Sequence, residues 1–297
     1  MAFKSGFISV IGRPNVGKST LVNAITGRKL SIISDKPQTT RNTIKSIITT
    51  DEYQLVFIDT PGIHKPKTML GEYMVKVATE TLQEVDAVLF MVDSESGVTP
   101  GKGDSQIISQ LHGIKTPVIL IINKIDLIQK DTLLPMIENY GTAYDFAAVI
   151  PVSAVTGEGL DRLKDELVRI LPEGPQYFPE DTITDQPERF IVAEIIREKM
   201  LQLLEDEVPH GTGVEVISFK EKPEDNFISI EANIYCEKES HKGIIIGKNG
   251  RMLKTIGTNA RMDIERLFST HVYLQLWVKT KKDWRNDSYM LRSLGYK

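Results

Sequence analysis

The residues best suited to chemistry begin at Gly12. The stretch Gly12-Arg13-Pro14-Asn15-Val16-Gly17-Lys18-Ser19 has the spacing GxxxxGK[ST] and follows an apolar run directly. In this pattern backbone N–H groups converge on phosphate oxygens, helped by the dipole of the helix that follows. Lys18 is placed to neutralise β and γ phosphates, the Ser19 hydroxyl to reach Mg²⁺, and Thr20 to complete the phosphate-site residues.

Three further motifs extend this chemistry. In Asp59-Thr60-Pro61-Gly62 the carboxylate can hold Mg²⁺ through a water, while the Gly62 N–H can approach a γ-phosphate. In Asn123-Lys124-Ile125-Asp126, the Asp126 carboxylate can accept from guanine N1–H and the 2-amino group. Adenine offers neither donor and would leave a buried carboxylate unpaired, so GTP is favoured over ATP. At Ser153-Ala154 a backbone N–H can bond guanine O6.

The elements that must position these residues are legible as apolar runs at 7–11, 44–50, 53–59, 87–93, 117–123 and 147–153. Four are nearly continuous, as strands covered on both faces are, and the segments between them are long enough for crossover helices. This predicts an α/β fold with a mostly parallel doubly wound sheet over residues 1–171. All four motifs then lie at carboxyl ends of strands, where such sheets bind ligands. Residues 172–187, PEGPQYFPEDTITDQP, carry four prolines without apolar periodicity and read as a linker. A smaller α+β domain follows over 188–297, with a helix near 189–206, strands near 213–220 and 227–236, a Gly-bearing turn, a helix near 250–268 and a strand near 271–279.

Composition excludes several classes. The single cysteine, Cys236, permits no intrachain disulfide and no thiolate zinc site, and it reads as inert core. The five histidines show no metal-ligand spacing. No apolar run approaches the roughly 20 residues that span a bilayer, and the first residues lack a signal-peptide pattern, so a cytoplasmic protein is expected. The whole-chain charge of −4 hides a division. Residues 186–239 carry 6 Lys and Arg against 13 Asp and Glu, whereas residues 240–297 carry 12 against 4.

That basic excess surrounds the turn Gly247-Lys248-Asn249-Gly250, which leads into a helix with Leu253, Ile256, Ala260, Ile264 and Leu267 on one face. A Gly-x-x-Gly turn here resembles the KH domain, in its type II order, whose loop clamps about four nucleotides by their backbone. Arg251 and Lys254 follow the loop, and Lys281 and Lys282 lie in a basic tail suited to RNA phosphates. Tyr273 and Trp277, on the last strand, are expected to pack beneath a helix rather than stack on bases.

The first domain resembles the translation-factor-related GTPases. In that family a switch threonine between the phosphate-loop helix and Asp59 contributes to Mg²⁺. Gln38-Thr39-Thr40-Arg41-Asn42 matches the segment, with Thr40 the first choice and Thr39 the second. Where Ras-like relatives place a water-orienting glutamine, this chain has Ile63, which implies slow or externally assisted hydrolysis. A subset of such GTPases carries a phosphate-loop Asn that helps to bind K⁺, and Asn15 matches it. Lys18, Asn15, Thr40 and Gly62 are thus the expected catalytic set.

The two halves together resemble the bacterial Era family. That resemblance implies a GTP-dependent factor in small ribosomal subunit assembly that binds the 3′ end of small-subunit rRNA, with GTP/GDP and Mg²⁺ as cofactors and a peripheral inner-membrane fraction; a monomer is expected. Two alternatives stand beside it. One is a GTPase acting on another RNA such as tRNA; the other is a non-catalytic RNA-binding scaffold with nucleotide as a structural ligand.

Overall fold

A computed structural model describes residues 2–34, 36, 39–61, 66–81, 84–222, 224 and 226–296. The elements run β1 (Lys4–Gly12), α1 (Lys18–Thr26), β2 (Ile44–Thr49), β3 (Tyr53–Asp59), α2 (Met69–Glu80), β4 (Ala87–Asp93), α3 (Lys102–Leu111), β5 (Val118–Asn123), α4 (Leu133–Ala143), β6 (Ala148–Pro151) and α5 (Leu160–Ile170). They continue with α6 (Glu188–Leu203), β7 (Gly213–Lys222), β8 (Phe227–Cys236), α7 (Glu239–Ile246), α8 (Arg251–Phe268), β9 (His271–Thr280) and α9 (Ser288–Ser293). The chain divides into two compact units. One comprises Met1–Ser31, Thr40–Lys65 and Met74–Asp185; the other comprises Ile32–Thr39, Pro66–Tyr73 and Gln186–Lys297.

The first unit is a six-stranded sheet in the order β2-β3-β1-β4-β5-β6, parallel except for β2, which runs antiparallel to β3 at one edge. The apolar runs of β4 and β5 are buried on both faces, as their composition requires. One face packs Leu21, Val22, Leu163 and Leu167 of α1 and α5 over Ile8, Val10, Leu89 and Ile121. The other packs Ile107, Leu111, Met136 and Tyr140 of α3 and α4 over Val88, Phe90, Leu120 and Ile122.

The expected linker is a strap on this unit. Ser5 N donates to Pro172 O at 3.2 Å, Gly174 N to Phe3 O at 3.1 Å, and Ile47 N to Ile183 O at 3.0 Å. The Gln54 side chain accepts from Tyr177 N and Phe178 N and donates to Phe178 O, fixing the middle of the strap. Proline-rich composition here reflects an extended segment that is ordered by partners outside itself.

The second unit has a three-stranded sheet, β7-β8-β9, with the first pair antiparallel and the second parallel. Its core joins Ile196 and Met200 of α6, Ile230 and Ile234 of β8, and Ile256, Ala260 and Ile264 of α8; Cys236 is buried within it. Tyr273 and Trp277 do not pack beneath a helix. They alternate with the core-facing Val272, Leu274, Leu276 and Val278, and are 49% and 41% exposed on the other face of the sheet. The basic tail is folded as well: Trp284 is fully buried, with its indole N–H donating to Gly211 O at 2.9 Å, and Arg285 makes a two-pronged contact with Glu237.

Candidate functional site

The phosphate loop connects β1 to α1 through a backbone that needs left-handed geometry at Asn15 (φ 67°) and Gly17 (φ 104°). A side chain at Gly17 would meet the Asn123 amide at 2.3 Å, so glycine is required there by space as well as by φ. Lys18 is buried and donates to Gly12 O at 3.1 Å and Arg13 O at 2.9 Å. Burial pulls its ammonium down to a pKa of about 8, against the opposing charge of Asp59.

Asp59, at the end of β3, accepts from Ser19 Oγ at 2.7 Å through Oδ2, and Ser19 Oγ lies 3.1 Å from Thr40 Oγ1. Asp59 Oδ1 is buried without a hydrogen-bond partner, and burial raises the Asp59 carboxyl against the pull of Ser19 and Lys18. A carboxylate with an orphaned oxygen beside two hydroxyls is a hard oxygen donor set that fits Mg²⁺. The two candidate threonines differ in their surroundings. Thr40 joins the cluster, whereas the Thr39 hydroxyl donates to Lys36 O at 2.6 Å. Gln38, Gly62 and Ile63 lie outside the described residues. Thr60 and Pro61 are buried, and the Thr60 hydroxyl donates to Val10 O at 2.8 Å.

Asn123 ties the loops together, donating to Val16 O at 2.8 Å and accepting from Ala154 N at 3.0 Å. Lys124 adopts left-handed geometry (φ 63°), and its ammonium lies 3.5 Å from Glu95. One expectation needs correction here. Asp126 is exposed rather than buried: in the short helical turn after β5, Ile125 packs against the core while Asp126 and Leu127 face solvent. The backbone N–H groups of Ser153 and Ala154 already have acceptors, Glu158 O at 2.9 Å and Asn123 Oδ1, so a guanine O6 would have to share or displace one of them.

Arg13 shows a feature that the sequence does not announce. Its Nε donates to Asp104 Oδ1 at 2.8 Å and its Nη2 to Ser96, while Asp104 Oδ2 accepts from the Tyr140 hydroxyl at 3.0 Å. Asp104 is fully buried. Acidic residues at helix N-termini are commonplace, so Asp104 carries no signal in one dimension.

In the second unit, α7 ends at Ile246 and is capped by Gly247, where φ is 71° and a Cβ would meet Met252 Cβ at 2.7 Å. Asn249 and Gly250 are also left-handed, and α8 starts at Arg251. Behind the turn lies a groove of about 370 Å³ lined by Gly250, Leu253, Lys254, Gly257, Thr258, Arg261, Leu274 and Leu276. Its apolar floor suits base faces, and its cations suit a backbone. Lys248, Arg251 and Lys254 are exposed at or beside the turn. Lys281 lies 3.6 Å from Asp287, and Lys282 is exposed. Arg261, Gly257 and Leu276 are additions to the expected set; the helical spacing of 254, 257 and 261 along α8 is a signal that could have found the first two, whereas Leu276 on β9 is supplied only by the fold.

Comparison with known proteins places this geometry. Residues 7–124 match a family model described as 50S ribosome-binding GTPase, and residues 207–285 match the KH domain. A Ruminiclostridium cellulolyticum protein named GTPase Era is 63% identical over 297 residues, covering 100% of this chain and 99% of its own. The chain belongs to the Era family of GTPases. A second Era, from Alkaliphilus metalliredigens, is 57% identical over 296 residues and is matched over its whole length. Two solved Era structures, each 40% identical and covered over 99% of both chains, superpose with TM-scores of 0.95 and 0.94. The first is in complex with MgGDPNP and nucleotides 1506–1542 of 16S ribosomal RNA; the second is a variant of the Aquifex aeolicus protein bound to GDP and AlF4⁻. Among the described residues no helix is long and apolar enough to cross a membrane.

Proposed function

We propose that this Era-family GTPase binds the 3′ end of small-subunit rRNA through its second unit and assists small-subunit assembly under control of its nucleotide. The observation that carries this reading is the full-length likeness to an Era structure holding MgGDPNP and a 16S rRNA segment. The charge division within the second unit supports it, because the basic segment bears the Gly247–Gly250 turn and the groove behind it.

At the nucleotide, the N–H groups of residues 13–19 bind phosphate oxygens, and the Lys18 ammonium, held by two carbonyls, neutralises the charge that develops at the β–γ bridge. Ser19, Thr40 and Asp59 would hold Mg²⁺, which when bound would supply positive charge against the phosphates. Asp126 selects guanine by accepting from its N1–H and 2-amino group, and the base itself removes water from that exposed carboxylate. Asn15 assists a K⁺ ion that adds positive charge near the phosphates; equal hydrolysis rates in KCl and NaCl would remove that role.

The nucleotide state reaches the second unit through adjacent residues. Thr40 belongs to the Ser19–Asp59 cluster of the first unit, while Ile32–Thr39 belong to the second, where Glu198 Oε1 accepts from Ile33 N at 2.9 Å and Arg197 donates to Thr39 O. Movement of Thr40 on hydrolysis therefore pulls directly on a segment anchored to α6. A peripheral membrane fraction of an otherwise cytoplasmic protein rests on the family resemblance, and vesicle flotation tests it. Crosslinking of bound RNA followed by sequencing tests the main reading. Enrichment of the 3′ end of small-subunit rRNA is expected, and enrichment of tRNA would overturn it.

A further inference from the structure

A fully buried carboxylate is costly to place unless it is paired, and Asp104 sits on α3 where its neighbours Ile107, Ile108 and Leu111 are core. Its two oxygens are met from two directions, by the Arg13 guanidinium and by the Tyr140 hydroxyl. Burial, and then the charge of Asp104, raises the pKa of that hydroxyl, so it remains a donor throughout the working pH range. Space is reserved for the arrangement: a Cβ at Gly103 would lie 2.6 Å from Arg13 Cδ. The guanidinium also reaches Ser96, whose own hydroxyl donates to Asp93 at the end of β4. Arg13 is thereby fastened to α3, to α4 through Tyr140, and to the segment after β4.

The second half of the phosphate loop has a separate fastening, from Asn123 to Val16 O. The first half has the Arg13 anchor. Its importance lies in what the backbone of that half does, because Gly12 O and Arg13 O are the two acceptors that hold the Lys18 ammonium.

We propose that Asp104 and Tyr140 are positioning residues for GTP hydrolysis, acting through Arg13 to fix the carbonyls that aim Lys18. Lys18 meets GDP through its β-phosphate alone and GTP through the γ-phosphate as well, so a misaimed ammonium weakens GDP somewhat and slows hydrolysis more. This rests on assigning GTP to the loop, which binding of GDP by the unaltered protein tests separately.

The test uses the full chain, with single-turnover hydrolysis at saturating GTP scaled to sites titrated by a fluorescent GDP. Asp104→Asn is expected to slow hydrolysis about 10- to 100-fold, the range for a small misplacement of a catalytic group, while the GDP Kd rises by a clearly smaller factor, below about tenfold. Tyr140→Phe loses one hydroxyl and should slow hydrolysis about fivefold. Arg13→Gln combined with Asp104→Asn should be no slower than the slower single variant, because the three groups form one unit. Rates per titrated site within twofold of the unaltered protein, with only the melting temperature lowered, would show a purely structural network and overturn the proposal. Losses that multiply in the double variant would also overturn it. If Asp104→Asn does not fold, Tyr140→Phe decides alone: the expected slowing supports the network and an unchanged rate sinks it.

Discussion

The depressed pKa of Lys18 makes nucleotide binding a proton-uptake reaction. In the free protein burial holds this ammonium near a pKa of about 8. Phosphate oxygens beside it favour the charged form and raise its pKa well above that value. At pH 8 about half of the free protein lacks the proton and nearly all of the complex holds it, so about 0.5 proton is taken up per GDP; at pH 7 the figure is about 0.1. By the same arithmetic GDP affinity falls about tenfold between pH 7 and pH 9. Titration calorimetry at pH 8 in buffers of different ionisation enthalpy measures the uptake, with Mg²⁺ omitted so that Asp59 does not contribute. The sign for stability is opposite. The unfolded chain keeps the lysine proton above pH 8 when the folded one has lost it, so the nucleotide-free protein gains up to about 1.4 kcal/mol per pH unit from this group between pH 8 and the ordinary lysine pKa. Uptake no larger at pH 8 than at pH 7 would refute the argument, because it would place Lys18 fully charged before the nucleotide arrives.

Three other outcomes are expected. Asp126→Asn should weaken GTP about 100-fold or more and admit xanthine nucleotides, and unchanged GTP affinity in a competition titration would refute its assigned role. Gly250→Asp should weaken RNA binding at least about tenfold in a filter assay while sparing GTP; a Cβ there meets nothing within 4 Å, so charge rather than crowding is the perturbation. Trp284→Ala should cost about 3–5 kcal/mol of unfolding free energy, measured by denaturant titration, because it empties a fully buried site and strands Gly211 O.

The sheet of the first unit was legible because strands covered on both faces must be apolar throughout, and β4 and β5 are. The cluster of Lys18, Ser19 and Asp59 was legible because its spacing is set by backbone chemistry at strand ends. Other features depend on partners distant in sequence. Helix α7 carries Gly243 and three consecutive isoleucines, a composition closer to a strand or a turn, and its helical state comes from packing Ile245 into the core. The outward aim of Tyr273 and Trp277 follows from which face of β9 the helices cover, and an alternation of aromatic and aliphatic residues leaves that undecided. Asp104 became visible only once α3 was placed against Arg13.

The strap over residues 172–185 also guards a liability. β2 is an edge strand with Ile44, Ile47 and Ile48 in its run, and open edges of this kind recruit other chains by strand addition. Ile183 O accepts from Ile47 N, and Thr184 pairs with Ser46, so the strap occupies bonding positions that a neighbouring molecule would otherwise use. A fragment cut after Leu171, where the apolar pattern ends, would bare that edge and self-associate, whereas one cut after Asp185 would keep it closed.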